Sequence, residues 1–365
     1  MILRVPDYYE EFVCIADRCK DSCCIGWEID IDEETRDYYL NQEGSFREKV
    51  EKYMYTTEEG NYSFALAEHG RCPFLDDKNL CEICTRLGEE ALSEVCTEYP
   101  RFAIEYGNVL QKCLSLSCEE VGRILFHKKD SVSFMELPFG EEGNEEEKPE
   151  NAAFLERVQR EAISILQNRN SSLSLRVHRF LKYMEAVSSC LTEEKNSLDF
   201  DFEQFTEEDV YTVYSYEDFA ERFAVFQEME VLDEEWENVK KDFVMFYSKD
   251  TYETWMKDYI LSFEYEENFY EQLLVYFFFR YFMNSVYDYD VMSYAKLTVV
   301  FTLVIRDMDA LAFHRNQRKL SVEDHIQSAR IFSKEVEHSE ENVEAAREAF
   351  LFEEVFETVR LCEQM

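Results

Sequence analysis

The sequence predicts a mainly α-helical protein, with a cysteine-rich, irregular N-terminal unit packed on a C-terminal helical bundle. Two observations lead to this fold class. The chain of 365 residues contains only 9 glycines and 5 prolines, which are too few for the many turns of a β-sandwich or barrel. Ten of its 12 cysteines fall between Cys14 and Cys118, so the first third of the chain differs in composition from the rest.

This change in composition predicts three segments. We expect a cysteine-rich cluster-binding domain over residues 1–135, an acidic linker over 136–150 and a helical domain over 151–365. The stretch EEGNEEEKPE at 141–150 has no apolar residue to bury, which is typical of an exposed connection.

Apolar residues in the C-terminal part recur at steps of three and four, the period of a helix with one buried face. Such steps occur over 154–166 and 177–187. Residues 269–286 are apolar almost all round, which predicts a central buried helix. Further helices are predicted at 217–247, 291–313, 322–337 and 341–361. Capping-box patterns mark three expected helix starts: Thr206–Asp209, Ser215–Asp218 and Ser321–Asp324.

The charge of the chain is strongly negative, with 79 acidic residues against 38 basic residues and a net charge of -41. A surface of this sign repels nucleic acid and anionic lipid, so neither is expected as a partner. It attracts a basic partner or a lysine-bearing segment, although solubility alone also explains it.

Apolar runs in the sequence are short. The two longest, Leu273–Phe279 and Leu297–Ile305, fall well below the roughly 20 residues that span a bilayer. The N-terminal segment MILRVPDYYEEF has no basic region followed by an apolar stretch. We therefore expect no membrane association and a cytoplasmic location.

The cysteine spacing favours metal ligation. The first group is Cys14-x4-Cys19-x3-Cys23-Cys24, and later groups follow at Cys72-x8-Cys81-x2-Cys84-x11-Cys96 and Cys113-x4-Cys118. In the cytoplasm thiols stay reduced, so a disulfide framework is the weaker alternative. Closely spaced thiolates suit zinc or an iron–sulfur cluster, and spacing alone does not choose between them. Cys190 and Cys362 stand apart and are expected to be packing residues.

Several segments together resemble the flagellin lysine-N-methylase family. FVCIADRCKDSCCIGWEIDIDEETRDYY (12–39) is similar to the family's opening, with its cysteine cluster and Gly-Trp pair. Similar blocks follow in the family's order: RCPFLDDKNLCEI (71–83), LGEEALSEVCTEYPRF (87–102), LSLSCEEV (114–121) and FRYFMNSVYDYDV (279–291).

The resemblance implies a methyltransferase that moves a methyl group from S-adenosylmethionine to lysine ε-amino groups of flagellin. It also implies a [4Fe-4S] cluster on N-terminal cysteines, with zinc as the alternative metal. The positions that match the family are Cys14, Cys19, Cys23, Cys24, Cys72, Cys81, Cys96 and Cys118. Cys84 and Cys113 are additions to the family pattern.

Methyl transfer requires a neutral amine, because free lysine has a pKa of about 10.4. Under the resemblance we expect Tyr99 and Asp30 as catalytic candidates, and Trp27 and Arg101 as cofactor-binding residues. Aromatic faces stabilise the sulfonium and ammonium cations, and a guanidinium can hold the carboxylate of the methyl donor. The alternatives are core packing for the rings and a salt bridge for Arg101. For Asp30, and for the nearby Asp32, the alternative is that the side chain faces solvent or caps the helix that begins near Glu33.

Arg280 lies in the apolar segment 269–286. A buried guanidinium is costly unless it is paired. Asp288 and Asp290 follow it one or two turns later, so the sequence predicts that they pair with Arg280 or line a cleft. The alternative is that this group is a structural pair that closes the helical half onto the cysteine unit.

Two functions from different classes follow. The first is a flagellin lysine methyltransferase that depends on a cysteine-ligated [4Fe-4S] cluster and S-adenosylmethionine. The second is a zinc-stapled helical adaptor that binds a basic protein without catalysis. No glycine-rich nucleotide-binding motif is present, so a methyl-donor site on a doubly wound sheet is not expected.

Overall fold

The computed structural model describes residues 1–27, 29–58, 60–140, 149–193 and 200–365. Residues 141–148, where the sequence predicts most of an acidic linker, lie outside the described residues.

The described chain divides into two compact units that interleave along the sequence. The larger unit comprises residues 1–11, 103–113 and 122–365, and the smaller unit comprises 12–102 and 114–121. This division differs from the predicted boundary at residue 135. All eight family-type cysteines fall in the smaller unit, whereas Cys113 falls in the larger one.

Two small sheets are present in the described residues. Their strands are β1 (Ile2–Pro6), β2 (Ile29–Ile31), β3 (Met54–Thr56), β4 (Tyr62–Phe64), β5 (Arg101–Tyr106), β6 (Val109–Leu114) and β7 (Phe134–Pro138). The four-stranded sheet has the order β5-β6-β1-β7, with β1 parallel to β6 and antiparallel to β7. The three-stranded sheet has the antiparallel order β2-β4-β3. Strand β7 begins before residue 136 and therefore occupies the start of the predicted linker.

Short helices accompany the three-stranded sheet. They are α1 (Glu33–Leu40), α2 (Ser45–Tyr53), α3 (Glu82–Leu87) and α4 (Glu94–Glu98), and α5 (Glu119–His127) follows. Of the two aspartates for which the sequence left capping or exposure open, Asp32 caps α1, because its carboxylate accepts a hydrogen bond of 2.8 Å from the backbone N–H of Thr35. The smaller unit thus contains regular elements as well as loops. That the cysteine-rich part forms an irregular unit packed on a bundle stays a prediction.

Helices make up most of the larger unit. They are α6 (Ala152–Leu166), α7 (Leu173–Thr192), α8 (Tyr216–Gln227), α9 (Glu234–Phe246), α10 (Tyr252–Ile260), α11 (Glu267–Tyr281), α12 (Ser285–Asp288), α13 (Val291–Arg315), α14 (Val322–Phe332), α15 (Glu340–Phe352) and α16 (Thr358–Gln364). The mainly helical fold class is therefore confirmed.

Two of these helices form the centre of the larger unit. Every residue of α11 from Phe269 to Tyr281 is buried, and so are most residues of α13. This burial confirms the central helix predicted from the apolar segment 269–286 and the helix predicted at 291–313. None of the helices in the described ranges is both long and apolar enough to span a bilayer.

Helix starts and ends agree with the predictions in part. Ser321 forms a capping box with Asp324 at the start of α14, and the Ser215 side chain caps α8. The start predicted at Thr206 is wrong, since only a short 3-10 turn follows it. The helix predicted over 341–361 is broken between α15 and α16, and α14 continues into a π-helical turn at Ser333–Glu337.

Candidate cysteine centre and its aromatic surround

The smaller unit has an apolar core that is rich in aromatic rings. The rings of Phe64 and Phe74 have centroids 4.8 Å apart, and those of Phe46 and Phe74 are 5.2 Å apart. Cys72 is buried in this core, and Cys24, Cys81 and Cys96 pack against it while partly buried. Four of the eight family-type cysteines therefore contact the same apolar core.

Backbone hydrogen bonds bring these four cysteines together from distant parts of the sequence. The N–H of Cys72 donates to the carbonyl of Cys24 at 2.7 Å. A β-bridge between Leu75 and Cys81 folds the next segment back towards Cys72. Cys96 lies on α4, whose first residue, Glu94, donates its N–H to the Asp32 carboxylate at 3.1 Å.

Burial makes these thiols poor acids. It raises the pKa of Cys72 to about 12 and that of Cys96 to about 11, and it also raises the pKa of Cys81. The charge of a thiolate at Cys24 adds to the rise at all three. The four sulfurs are thus close enough to affect one another, and Cys72, Cys81 and Cys96 hold their protons near neutral pH unless a cation displaces them.

The other family-type cysteines lie on the solvent side of the unit. Cys14 and Cys23 are exposed, while Cys19 and Cys118 are half-buried. The sulfurs of Cys23 and Cys24 are 4.0 Å apart, and their hydrogen bond raises the pKa of Cys23 and lowers that of Cys24. The chain from 14 to 24 is held to residues 114–121 by a hydrogen bond of 2.9 Å from the N–H of Lys20 to the Glu119 carboxylate.

The donor chemistry of the unit fits a soft metal ion or an iron–sulfur cluster. None of the cysteines in the described ranges forms a disulfide, and thiolates are the preferred ligands of both zinc and iron–sulfur clusters. The sulfurs are near one another but do not converge: within the described ranges no three Cys, His, Asp or Glu side chains surround a point that could hold a metal ion. Loading a metal therefore requires the thiols to lose protons and turn towards a common point.

Two of the predicted site residues, Trp27 and Tyr99, lie side by side. Their ring centroids are 5.9 Å apart and the rings are tilted by 44°. The Tyr99 hydroxyl is 3.1 Å from the Ser117 hydroxyl. Burial raises the pKa of Tyr99 well above its usual value, and thiolate charge at Cys118 and Cys23 adds to the rise. The aromatic pair thus adjoins the solvent-side cysteines.

The other two predicted site residues are placed differently. The Arg101 guanidinium lies over the ring of Phe12, with its central carbon 5.5 Å from the ring centroid. Asp30 is the exposed residue of β2, between the buried Ile29 and Ile31. Its carboxylate therefore points away from the aromatic core of the unit.

A second polar site, which the sequence did not predict, lies in the larger unit. Arg280 is buried against Glu337, with the Arg280 Nε atom 2.6 Å from a carboxylate oxygen. The hydroxyls of Tyr276 and Tyr281 donate to the same carboxylate at 3.1 Å, and Ser333 also donates to it. The pairing predicted for Arg280 with the two aspartates is wrong. From the sequence, Glu337 could be placed only in the amphipathic helix predicted at 322–337. Its pairing with Arg280 could not be predicted.

Asp288 and Asp290 bind a different arginine. The guanidinium of Arg347 lies 2.7 Å from Asp288 and 3.1 Å from Asp290. Arg347 is brought there by α15, so this ion pair joins α15 to the turn before α13. The two aspartates close a helical junction and leave Arg280 to Glu337.

The fold and the cysteine site together define the class of protein. It is mainly helical and contains a thiol-rich unit. The described residues contain no doubly wound nucleotide-binding sheet. A family model described as "FliB lysine N-methylase C-terminal domain" matches residues 159–363, which is more than half of the chain. The chain belongs to the FliB lysine N-methylase family.

Named relatives agree with this family. The chain is 29% identical over 136 residues to a lysine-N-methylase of Salmonella typhimurium and to one of Salmonella choleraesuis. The match covers 36% of this chain and 34% of each of those proteins, so it spans about a third of their length. A flagellar biosynthetic protein FliU of Salmonella muenchen is also 29% identical over 136 residues, which cover 80% of its length. No solved structure matches the chain.

Proposed function

We propose that this chain transfers a methyl group from S-adenosylmethionine to lysine ε-amino groups of flagellin, and that the reaction depends on a [4Fe-4S] cluster bound by cysteines of the smaller unit. The observation that carries the proposal is membership of the FliB lysine N-methylase family over residues 159–363. The names of the relatives, lysine-N-methylase and FliU, support the reaction and the flagellar substrate.

The reaction is a displacement in which the lysine nitrogen attacks the methyl carbon while the bond from that carbon to sulfur breaks. The ammonium form has no lone pair, so a proton must leave the amine before attack. A water-poor surface lowers the cost of this step because desolvation disfavours the charged amine. The chain must therefore offer an apolar surface together with a proton acceptor.

Trp27 and Tyr99 supply the apolar surface in this proposal. Their neighbouring rings offer faces that stabilise the sulfonium of the methyl donor and exclude water from the lysine. The Tyr99 hydroxyl, which is 3.1 Å from the Ser117 hydroxyl, is the group proposed to orient the amine. Asp30, which is exposed on β2, is the proposed acceptor for the proton that leaves.

Arg101 is the proposed anchor of the methyl donor. Its guanidinium is planar and can bind a carboxylate through two parallel hydrogen bonds. The contact with the face of Phe12 restricts its orientation, which reduces the entropy lost when a ligand binds.

The cluster would be held by four of the eight family-type cysteines. When bound, an iron–sulfur cluster supplies redox-active iron in the thiol-rich unit. The protein's own contribution is to keep the buried thiols reduced and close together, and a cytoplasmic location would preserve them in that state.

The chain has 79 acidic residues and only 38 basic residues. This excess of negative charge supports a lysine-bearing substrate. Opposite charge accelerates the encounter between protein partners and weakens as salt is added. Flagellin is the proposed partner because the FliU relative is named as a flagellar protein.

The direct test uses the full chain, purified without oxygen, with flagellin and S-adenosylmethionine that carries a labelled methyl group. We expect label on flagellin lysines, located by mass spectrometry, and no label when the flagellin lysines have been acetylated beforehand. Failure of cluster-loaded protein to label unmodified flagellin would overturn the proposal.

A second candidate function is a zinc-stapled adaptor that binds a basic protein without catalysis. The packing of four thiols against an aromatic core favours it, since structural zinc sites hold small units together in this way. Stoichiometric zinc without sulfide, together with no binding of S-adenosylmethionine, would establish the adaptor in place of the methyltransferase.

A further inference from the structure

Three short stretches of the larger unit reverse the charge of the chain. They are residues 241–246 at the end of α9, 257–261 at the end of α10 and 315–319 after α13. Together they contain five basic residues and two acidic residues, whereas the whole chain has 79 acidic and 38 basic residues. Positive charge is therefore concentrated in these stretches.

Ion pairs bring the three stretches together. Arg315 pairs with Asp242 of α9, and Arg318 lies 2.8 Å from the Asp258 carboxylate of α10. The Arg315 guanidinium also lies over the ring of Phe246, with its central carbon 5.3 Å from the ring centroid. Because the two aspartates neutralise the two arginines, the net positive charge comes from three exposed lysines: Lys241, Lys257 and Lys319.

Large apolar side chains are exposed beside these lysines. Leu261 is 86% exposed and Met245 is 73% exposed. Met245 follows Lys241 by four residues on α9, so the two side chains share one face of the helix. Leu261 follows Lys257 by the same step, and its N–H donates to the Lys257 carbonyl. These residues form the basic patch: Lys241, Met245, Lys257, Leu261 and Lys319.

The end of α15 has the opposite charge. Residues 348–357 contain four glutamates and no basic residue. Two large apolar side chains are exposed there, since Phe352 is 79% and Leu351 is 67% exposed. Exposed apolar groups that are rimmed by charge are typical of protein-binding surfaces. These residues form the acidic patch: Glu348, Leu351, Phe352, Glu353 and Glu354.

The two patches lie at opposite ends of α13. Arg347 of α15 binds Asp290, just before the first residue of α13, and the Lys296 ammonium donates to the Phe350 carbonyl at 2.8 Å. The basic patch instead adjoins Arg315, the last residue of α13. Residues 296 and 315 are about 28 Å apart along the helix axis, at a rise of 1.5 Å per residue. One copy of the chain therefore cannot bring its own two patches together.

We propose that this protein associates with a second copy of itself, head to tail, through the acidic patch of one copy and the basic patch of the other. Opposite charges meet at this contact, and the exposed apolar side chains are removed from water. Because each copy contributes a different surface, the contact is heterologous and further copies can extend it. The proposal goes beyond the proposed function and does not depend on methyl transfer.

Salt should affect this association in two ways. Each copy has a net charge of -41, so whole copies repel one another at about 0.01 M salt, where charges act over about 30 Å. At about 0.15 M salt this range falls to about 8 Å, which screens distant charges and leaves those in contact. Association should therefore be stronger at about 0.15 M than at about 0.01 M or 1 M salt.

Sedimentation velocity on the full chain, over a series of protein concentrations at about 0.15 M salt, measures the association. We expect the average mass to rise with concentration. Leu261→Glu in the basic patch and Phe352→Lys in the acidic patch should each lose this rise. Val231→Glu and Val231→Lys are the matched controls, because Val231 is exposed outside both patches and the changes in charge are the same. Both controls should associate like the natural chain.

Mixing the two patch variants distinguishes a head-to-tail contact from a symmetric one. Leu261→Glu keeps its acidic patch and Phe352→Lys keeps its basic patch, so an equimolar mixture should form a one-to-one dimer that grows no further. If Leu261→Glu fails to fold, the double variant Lys257→Glu/Lys319→Glu takes its place, because both lysines are exposed. A natural chain that is monomeric at every concentration overturns the proposal. So does a mixture that stays monomeric, or association that is unchanged in both variants.

A different occupant of the basic patch is tested with vesicles that contain phosphatidylserine. We expect the natural chain to associate with itself and not to bind these vesicles. Vesicle binding by a monomeric chain, lost in Leu261→Glu and kept in Phe352→Lys, would overturn the proposal and assign the basic patch to anionic lipid.

Discussion

Arg280 and Glu337 form an ion pair of 2.6 Å in which the two side chains are 5% and 0% exposed. The residues are 57 positions apart, on α11 and on the π-helical turn that follows α14. Two tyrosines and Ser333 complete the hydrogen bonds of the carboxylate. A buried charge without its partner is far more costly than the pair is stabilising, so these residues depend on each other.

Removing one member of this pair should destabilise the larger unit strongly. We expect Glu337→Gln or Arg280→Met to lower the free energy of unfolding by about 3–5 kcal/mol, measured by urea denaturation followed by circular dichroism. Arg47→Met is the matched control, because Arg47 pairs with Glu51 at an exposed site and should cost less than about 1 kcal/mol. If Glu337→Gln and Arg280→Met lowered the free energy of unfolding as little as Arg47→Met does, the mutual dependence of Arg280 and Glu337 would be contradicted.

Glu335 should make the stability of the larger unit depend on pH. Its side chain is fully buried and accepts backbone hydrogen bonds of 3.0 Å from Leu232 and Asp233. Burial raises its pKa from 4.5 to about 7. The folded protein therefore retains this proton up to about pH 7, whereas the unfolded chain releases it near 4.5. The contribution of Glu335 to stability is complete below pH 4.5 and is lost as the pH rises to 7.

The measurement compares urea denaturation at several pH values between 4.5 and 8. The natural chain should lose roughly 3 kcal/mol more than Glu335→Gln across this range, since one pKa unit corresponds to about 1.4 kcal/mol. Glu348→Gln, at an exposed position of α15, should behave like the natural chain. Parallel pH profiles for the natural chain and Glu335→Gln would show that this carboxyl is not the titrating group.

Asp32 and Asp30 should differ in their effect on stability, although both are acidic and lie two positions apart. Asp32 accepts hydrogen bonds from Thr35 and Glu94 at the start of α1, while Asp30 is exposed on β2. We expect Asp32→Ala to lower the free energy of unfolding by about 1 kcal/mol, the usual contribution of an N-cap. Asp30→Ala should change it by no more than about 0.5 kcal/mol. Thermal or urea unfolding checks this, and equal costs would count against the capping role.

Tyr99→Phe should separate the methylation activity from the fold. The change removes only the hydroxyl, which lies 3.1 Å from Ser117, and leaves the ring contact with Trp27. We expect methyl transfer to flagellin to fall on the order of a hundredfold with metal content and thermal stability retained. Tyr38→Phe, at an exposed site on α1, is the matched control. Full activity in Tyr99→Phe would remove Tyr99 from the proposed site.

Several features of this protein could be predicted from local sequence. Low glycine and proline content and the apolar segments at 269–286 and 291–313 predicted the helical class and its buried centre. The Ser321 and Ser215 caps were also predictable, and capping was one of the two possibilities for Asp32, because a cap depends on residues within three or four positions. The cysteine spacing, in the same way, indicated which thiols to consider as ligands.

Other features were decided only by the tertiary structure. The partner of Arg280 is Glu337 rather than the nearer Asp288, and residues 114–121 return to join 12–102 in one unit. Asp288 and Asp290 instead bind Arg347, a residue of α15 that lies 57 positions after Asp290 in the sequence. The sequence by itself determined which residues would be helical, buried or thiol-rich, because those properties follow from composition and short-range periodicity. Only the tertiary structure decided which charged side chains form ion pairs and which cysteines pack against the same apolar core. These contacts depend on how deeply each group is buried and on chain segments that are far apart in sequence.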